Sequence, residues 1–136
     1  MTGETNISAL IKEMNPILNE GEYVFCTVRD AGKIGHKEIL GQFKEKEGTT
    51  LILERTKADE LHLNYDYVAS WITLMVHSSL EAVGLTSAFS TALAQNNISC
   101  NVVAGYYHDH IFVGKRDAKK AVEVLKKLSK NQFKAY

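Results

Sequence analysis

Residues 98–114 read ISCNVVAGYYHDHIFVG, and the way this segment folds back on itself decides the architecture. Two apolar runs rich in β-branched and aromatic residues flank a polar centre, the pattern of a β-hairpin. Asp tolerates the backbone geometry of tight turns, so the turn is expected at His108–Asp109. That placement pairs Tyr107 with His110 and Tyr106 with Ile111, and directly opposed residues of an antiparallel pair share a face. One face then holds Ile98, Cys100, Val102, Ala104, Tyr106, Ile111 and Val113 and is expected to meet the helices. The other holds Val103, Tyr107, His110 and Phe112, and a slip by one residue would mix the two sets.

Working outward, SWITLMV at 70–76 reads as a strand, and GLTSAFSTALAQNN at 84–97 as a helix capped by Thr86. Leu85, Ala88, Phe89, Ala92 and Leu93 recur at helical spacing. After the hairpin, Asp117 is placed to cap a helix with Ala118, Ala121, Val122, Leu125 and Leu128 inward, and FKAY at 133–136 to add an edge strand. The first half carries a similar series. Asn6 caps a helix with Ile7, Leu10, Ile11 and Met14 on one stripe, ended by Pro16. EYVFCTV at 22–28 is a strand, AGKIGHKE at 31–38 a short helix, and the segment from Leu40 to Arg55 a hairpin turning near Lys46–Gly48. TKADEL at 56–61 supplies a further short helix. The repeated order predicts two ferredoxin-like α+β modules of the βαββαβ type, residues 1–65 with a preceding helix and residues 66–136.

The 136 residues are 45% hydrophobic and 24% charged, too apolar for a disordered chain. Sixteen basic residues balance sixteen acidic ones, which argues against a strongly basic nucleic-acid binder. From Gly114 to Tyr136, eight Lys or Arg stand against two acids, and this reads as a solvated helix face. Cys26 and Cys100 lie in apolar runs and read as buried thiols of a reducing compartment rather than a disulfide. The start of the chain has no secretory h-region, and YVASWITLMV at 67–76 is too short to span a bilayer. These readings place the protein in the cytoplasm.

His108, Asp109 and His110 raise the question of a metal. Neighbours on a strand point to opposite sides and cannot converge on one tetrahedron. His77 is the obvious extra ligand. The strand ending at His77 is expected to run parallel and adjacent to the one beginning at His110, so that about six residues, or roughly 20 Å, separate them. No metal site and no cofactor is therefore expected. Neighbouring His77, Ser78 and Ser79 do not make a nucleophile with an oriented base, and Ser78 with Glu81 fits a capping box better. AGKIGHK lacks the phosphate-loop spacing. Without a catalytic constellation the chain is not expected to be an enzyme. Trp71, Tyr107, His110 and Phe112 are expected to form an exposed aromatic patch. Such a patch either stacks single-stranded RNA or is covered by another subunit or the sister half; the RNA-recognition signature is absent, and self-association into a homo-oligomer is the favoured outcome.

Gly84 stands directly before the helix that begins LTSAF. Glycine permits close backbone approach, and a helix N-terminus offers unpaired N–H groups to a carboxylate. The stretches EYVFCTV, EKEG, WITLMVHSSLEAVGLT and ISCNVVAGYYHDHIFV resemble those of small bacterial proteins with two ACT-like domains in tandem. The resemblance implies a regulatory fold that binds amino acids where paired domains meet. By position it nominates Gly84, Leu85, Thr86 and Ser87, with Asn97 and Ile98 of a neighbouring domain lining the other side. Ala82–Val83 replace the acidic residue and proline that the family commonly carries before the glycine. The partner this resemblance implies is a small-molecule effector, an amino acid.

Overall fold

A computed structural model describes residues 6–76 and 83–130. Its elements are α1 (Ile7–Glu13), β1 (Asn15–Leu18), β2 (Tyr23–Val28), β3 (Gly41–Lys44), β4 (Thr49–Glu54), α2 (Arg55–Glu60), β5 (Val68–Met75), α3 (Leu85–Gln95), β6 (Asn101–Ala104), β7 (Asp109–Gly114) and α4 (Ala118–Lys130). The chain divides into two units, one of residues 20–70 and one that joins residues 1–19 to 71–136.

In the unit of residues 20–70 the strands lie in the order β3-β4-β2, with the start of β5 next to β2. β2 and β4 are antiparallel, pairing Val24 with Leu53 and Cys26 with Leu51. Val68 and Ala69 pair with Val24 and Tyr23. By order of appearance the sequence across the sheet is second, third, first, fourth, the ferredoxin-like arrangement. Val24, Cys26, Leu51 and Leu53 alternate along their strands so that one face meets Ala58 of α2, and all five are buried. Where a helix was expected after β2, the chain makes two 3-10 turns, Ala31–Lys33 and His36–Glu38. Gly32 and Gly35 each disfavour a helix interior by about 1 kcal/mol. Asp30 Oδ1 accepts from the Gly32 N–H at 2.9 Å and closes the first turn locally.

In the other unit the sheet runs β1-β5-β7-β6. β1 is antiparallel to β5, Asn15 opposite Met75 and Leu18 opposite Ile72. The strand from the start of the chain thus holds the fourth-strand position beside β5; the expected strand at 133–136 lies outside the described residues. The core gathers Leu10, Ile11 and Met14 around α1, Ile72 and Leu74 on β5, Phe89 and Leu93 on α3, Ile111 and Val113 on β7, and Leu125 on α4. Asn6 caps α1, its Oδ1 accepting from Ala9 N at 3.0 Å.

Two local expectations are corrected. α3 begins at Leu85 with Gly84 as its cap at φ 100°, and Thr86 lies inside the first turn rather than capping it. The hairpin turns at Tyr106–Tyr107, not at His108–Asp109: Gly105 N donates to His108 O at 2.9 Å. Asn101 faces Phe112, Val102 faces Ile111 and Val103 faces His110. The pairing is displaced by four residues, an even number, so facing residues keep their sides of the sheet. Gly105 selects this turn, because a Cβ there would stand 2.9 Å from His108 O and 3.1 Å from His110 Nε2. Tyr106 and Tyr107 leave the sheet and are 66% and 65% exposed. Val102 and Ala104, expected beneath the helices, are exposed on the edge strand β6, whereas Ile98 just before it is buried.

Leu10→Ala is expected to lower the unfolding free energy by about 2–5 kcal/mol. Trp71, the single tryptophan, reports it by emission during urea titration. An unchanged midpoint would show that α1 is not part of this core.

Candidate functional site

Gly84 adopts a left-handed backbone, φ 100° and ψ −16°, that aims the chain into α3. A Cβ at this position would meet Ile7 of α1 at 3.6 Å, an ordinary contact, so glycine is required by its dihedral and not by space. No side chain caps the helix, and its first intrahelical bond is Ala88 N to Gly84 O at 2.9 Å. The N–H groups of Leu85, Thr86 and Ser87 therefore precede the ladder, where the helix dipole is positive. Leu85 is buried and anchors the turn, while Thr86 and Ser87 are exposed.

Asn97 and Ile98 lie at the opposite end of α3. Asn97 is exposed at φ 60° and donates its N–H to Ala94 O at 2.9 Å. Ile98 is buried and bonds Leu93 O at 3.0 Å. Eleven helical residues, about 16 Å at 1.5 Å each, separate them from Gly84. A single unit does not bring the two halves of the nominated site together.

Trp71, His110 and Phe112 do come together. Trp71 Nε1 donates to His110 Nδ1 at 3.0 Å, and Thr73 Oγ1 lies 3.2 Å from the same nitrogen. Asn19 Nδ2 donates to Thr73 Oγ1 at 3.0 Å. The Trp71 and Phe112 rings stack at 6.5 Å and 17°. Phe112 is 2% exposed and the other two are half-buried, so these rings form a packed cluster instead of an open platform. Tyr107 stands apart on the turn, edge-on to Tyr106 at 5.1 Å.

These contacts also fix strand direction. Trp71 meets Phe112 and His110, Thr73 meets His110, and Val76 O lies 3.4 Å from His108 Nδ1. The numbers run oppositely, so β5 and β7 are antiparallel. The expectation of parallel neighbours is overturned, and with it the distance argued between His77 and His110; His77 lies outside the described residues. Among the described residues no three His, Cys, Asp or Glu are grouped as a metal site.

Because indole N–H only donates, His110 Nδ1 accepts and its imidazole is neutral. Burial first, then His108, lower its proton affinity, against the pull of Asp109. Asp109, read in the sequence as a turn residue, is buried, and burial raises its carboxyl. Burial also pushes the Cys100 thiol up to about 11 and raises Cys26, so neither is primed as a nucleophile at neutral pH.

Both units order their strands as ferredoxin-like α+β modules, one built from residues 20–70 and the other from the segments that flank them in the chain. ACT-domain family profiles match residues 2–70 and residues 67–127, and the protein belongs to the ACT-domain family. A Vibrio cholerae protein of unknown function, described as a possible transport protein, is 48% identical over 90% of this chain and 94% of its own, with a TM-score of 0.81. An Agrobacterium tumefaciens protein shares the fold at 15% identity and a TM-score of 0.70, covering 85% of this chain and 89% of its own. The regulatory subunit of aspartate kinase from Thermus thermophilus does so at 6% identity and a TM-score of 0.59, over 83% and 95% of the two chains. No curated protein sequence matches the chain. No helix among the described residues is long and apolar enough to cross a membrane.

A histidine with lowered proton affinity supports the fold above the unfolded value of about 6.5, and that support is lost as pH falls. Asp109, shifted upward, acts in the opposite sense, so Trp71 emission is a more selective reading than global stability. Under native conditions the emission is expected to change with a midpoint below about 6.5 and to lose that titration in His110→Gln. A midpoint above that value would contradict the assigned environment.

Proposed function

We propose that the protein is a regulatory, non-catalytic ACT-type binder of an amino acid or similar small effector. The ligand's carboxylate lies on the Leu85, Thr86 and Ser87 N–H groups, with Gly84 giving the backbone its approach. The observation that carries this reading is the first turn of α3, which has no side-chain cap and exposes Thr86 and Ser87 beside a left-handed glycine. The exposed Asn97 of a second copy, with the backbone at its buried Ile98, lines the other side, since those of the same unit sit at the far end of the helix. The working form is therefore a homo-oligomer, and the free, buried character of Cys26 suits the cytoplasm.

A reading as an interaction module without ligand is favoured by one feature. β6 is an edge strand whose four residues are all exposed, next to exposed Tyr106 and Tyr107. A second copy added there would extend the sheet.

Calorimetry against the twenty amino acids is expected to find one that binds at or below millimolar concentration. Gly84→Val, which forces a β-branched residue to positive φ, should weaken that binding at least tenfold. Light scattering of the same samples should give the mass of an oligomer. Absence of binding with an oligomer present favours the interaction module, and a monomer that binds nothing defeats both readings.

A further inference from the structure

The unit of residues 20–70 holds a cavity of about 730 Å³ where the first helix of a βαββαβ module would pack. Its walls are the two 3-10 turns with the residues before them, Gln42 and Lys44 on β3, and Thr49 on β4. This is the size of a small-molecule site. Gly32 and Gly35 divide the segment after β2 into two short turns in place of the module's first helix.

The charge around it is uneven. Residues 20–70 contain seven Lys or Arg and ten Asp or Glu, an acidic excess. Yet Arg29, Lys33 and Lys44 line the cavity against the single acid Asp30. Asp30 already accepts the Gly32 N–H. Arg55 pairs with Glu22, and Lys57 with Glu38 and Glu60; the three cavity cations take part in none of these pairs. Ala31, Ile34 and Ile39 also line it and give an apolar wall backed by the Val24, Cys26 and Leu51 core. Cations left unpaired around a cavity with an apolar wall suit a ligand whose anionic head meets the charges and whose body meets the wall.

We propose that this cavity is a second binding site, distinct from the α3 turn, for a small organic molecule with a dianionic head, either a phosphate ester or a dicarboxylate. Arg29 and the two lysines hold the head, and Ile34 and Ile39 bear on the body.

The test is an amide NMR titration of the whole protein with adenosine monophosphate, inorganic pyrophosphate and succinate in separate arms. Saturable shifts confined to residues 29–49 and a dissociation constant below about 1 mM, or 4.1 kcal/mol, are expected in at least one arm. Response to the phosphates identifies a phosphoryl head, and response to succinate alone a dicarboxylate. The double variant Lys33→Gln, Lys44→Gln should weaken binding at least tenfold at unchanged melting temperature, and Gly84→Val should leave it intact. No shifts at 10-fold higher ligand, or equal affinity in the double variant, would overturn the site. Loss in Gly84→Val alone would assign the ligand to the α3 turn instead.

Discussion

The antiparallel contact of β5 with β7 is the constraint on which the unit containing α3 depends. Trp71, Thr73 and His110 lock it from one side of the sheet through the indole N–H and an accepting imidazole. Once those side chains share a face, alternation sends Ile72, Leu74, Ile111 and Val113 to the other, where Leu10, Phe89, Leu93 and Leu125 cover them. The position of α3 follows from that packing, and the position of the Gly84 turn follows from α3. A polar cluster thus sets the register of an apolar core. Leaving any of its members unpaired would cost about 1–3 kcal/mol in a buried setting.

Much of this was legible because the signals are local. Ile7, Leu10, Ile11 and Met14 gave α1, and alternation along β5 and β7 gave the helix-facing residues. The hairpin register shows what such signals miss. Side-chain direction has a period of two, so a displacement of four residues leaves Val103 with His110 on one side and Val102 with Ile111 on the other. Pattern alone cannot distinguish the two registers; the steric demand at Gly105 does. The pairing of β1 with β5 joins residues more than fifty positions apart, and no local pattern announces it. Strand direction failed for the same reason, since it is set by the crossover through α3 rather than by the residues of either strand.

Sites follow the same division. Gly84 before an amphipathic helix is a visible signal, and the helix starts one residue after it. The burial of Phe112 and the exposure of Tyr106 were not visible, because each depends on where the turn falls. The cavity of residues 29–49 has no motif at all. It is lined by two short turns that stand in place of the module's first helix, and a net charge of zero for the chain hides the three cations around it.

Magnitudes connect the proposed effector site to oligomer formation. A helix N-terminus stabilises an anion by about 0.3–1 kcal/mol at an exposed position and up to about 2 where partly buried. Even millimolar affinity requires about 4 kcal/mol. Thr86 and Ser87 are exposed, so the α3 turn by itself falls short of that figure. The remainder has to come from groups that desolvate the ligand and contact its side chain. Within one unit Asn97 is a full helix length away and cannot supply them. A second copy presenting its own exposed Asn97 can, and effector affinity in this reading is then set by subunit association as much as by the turn itself.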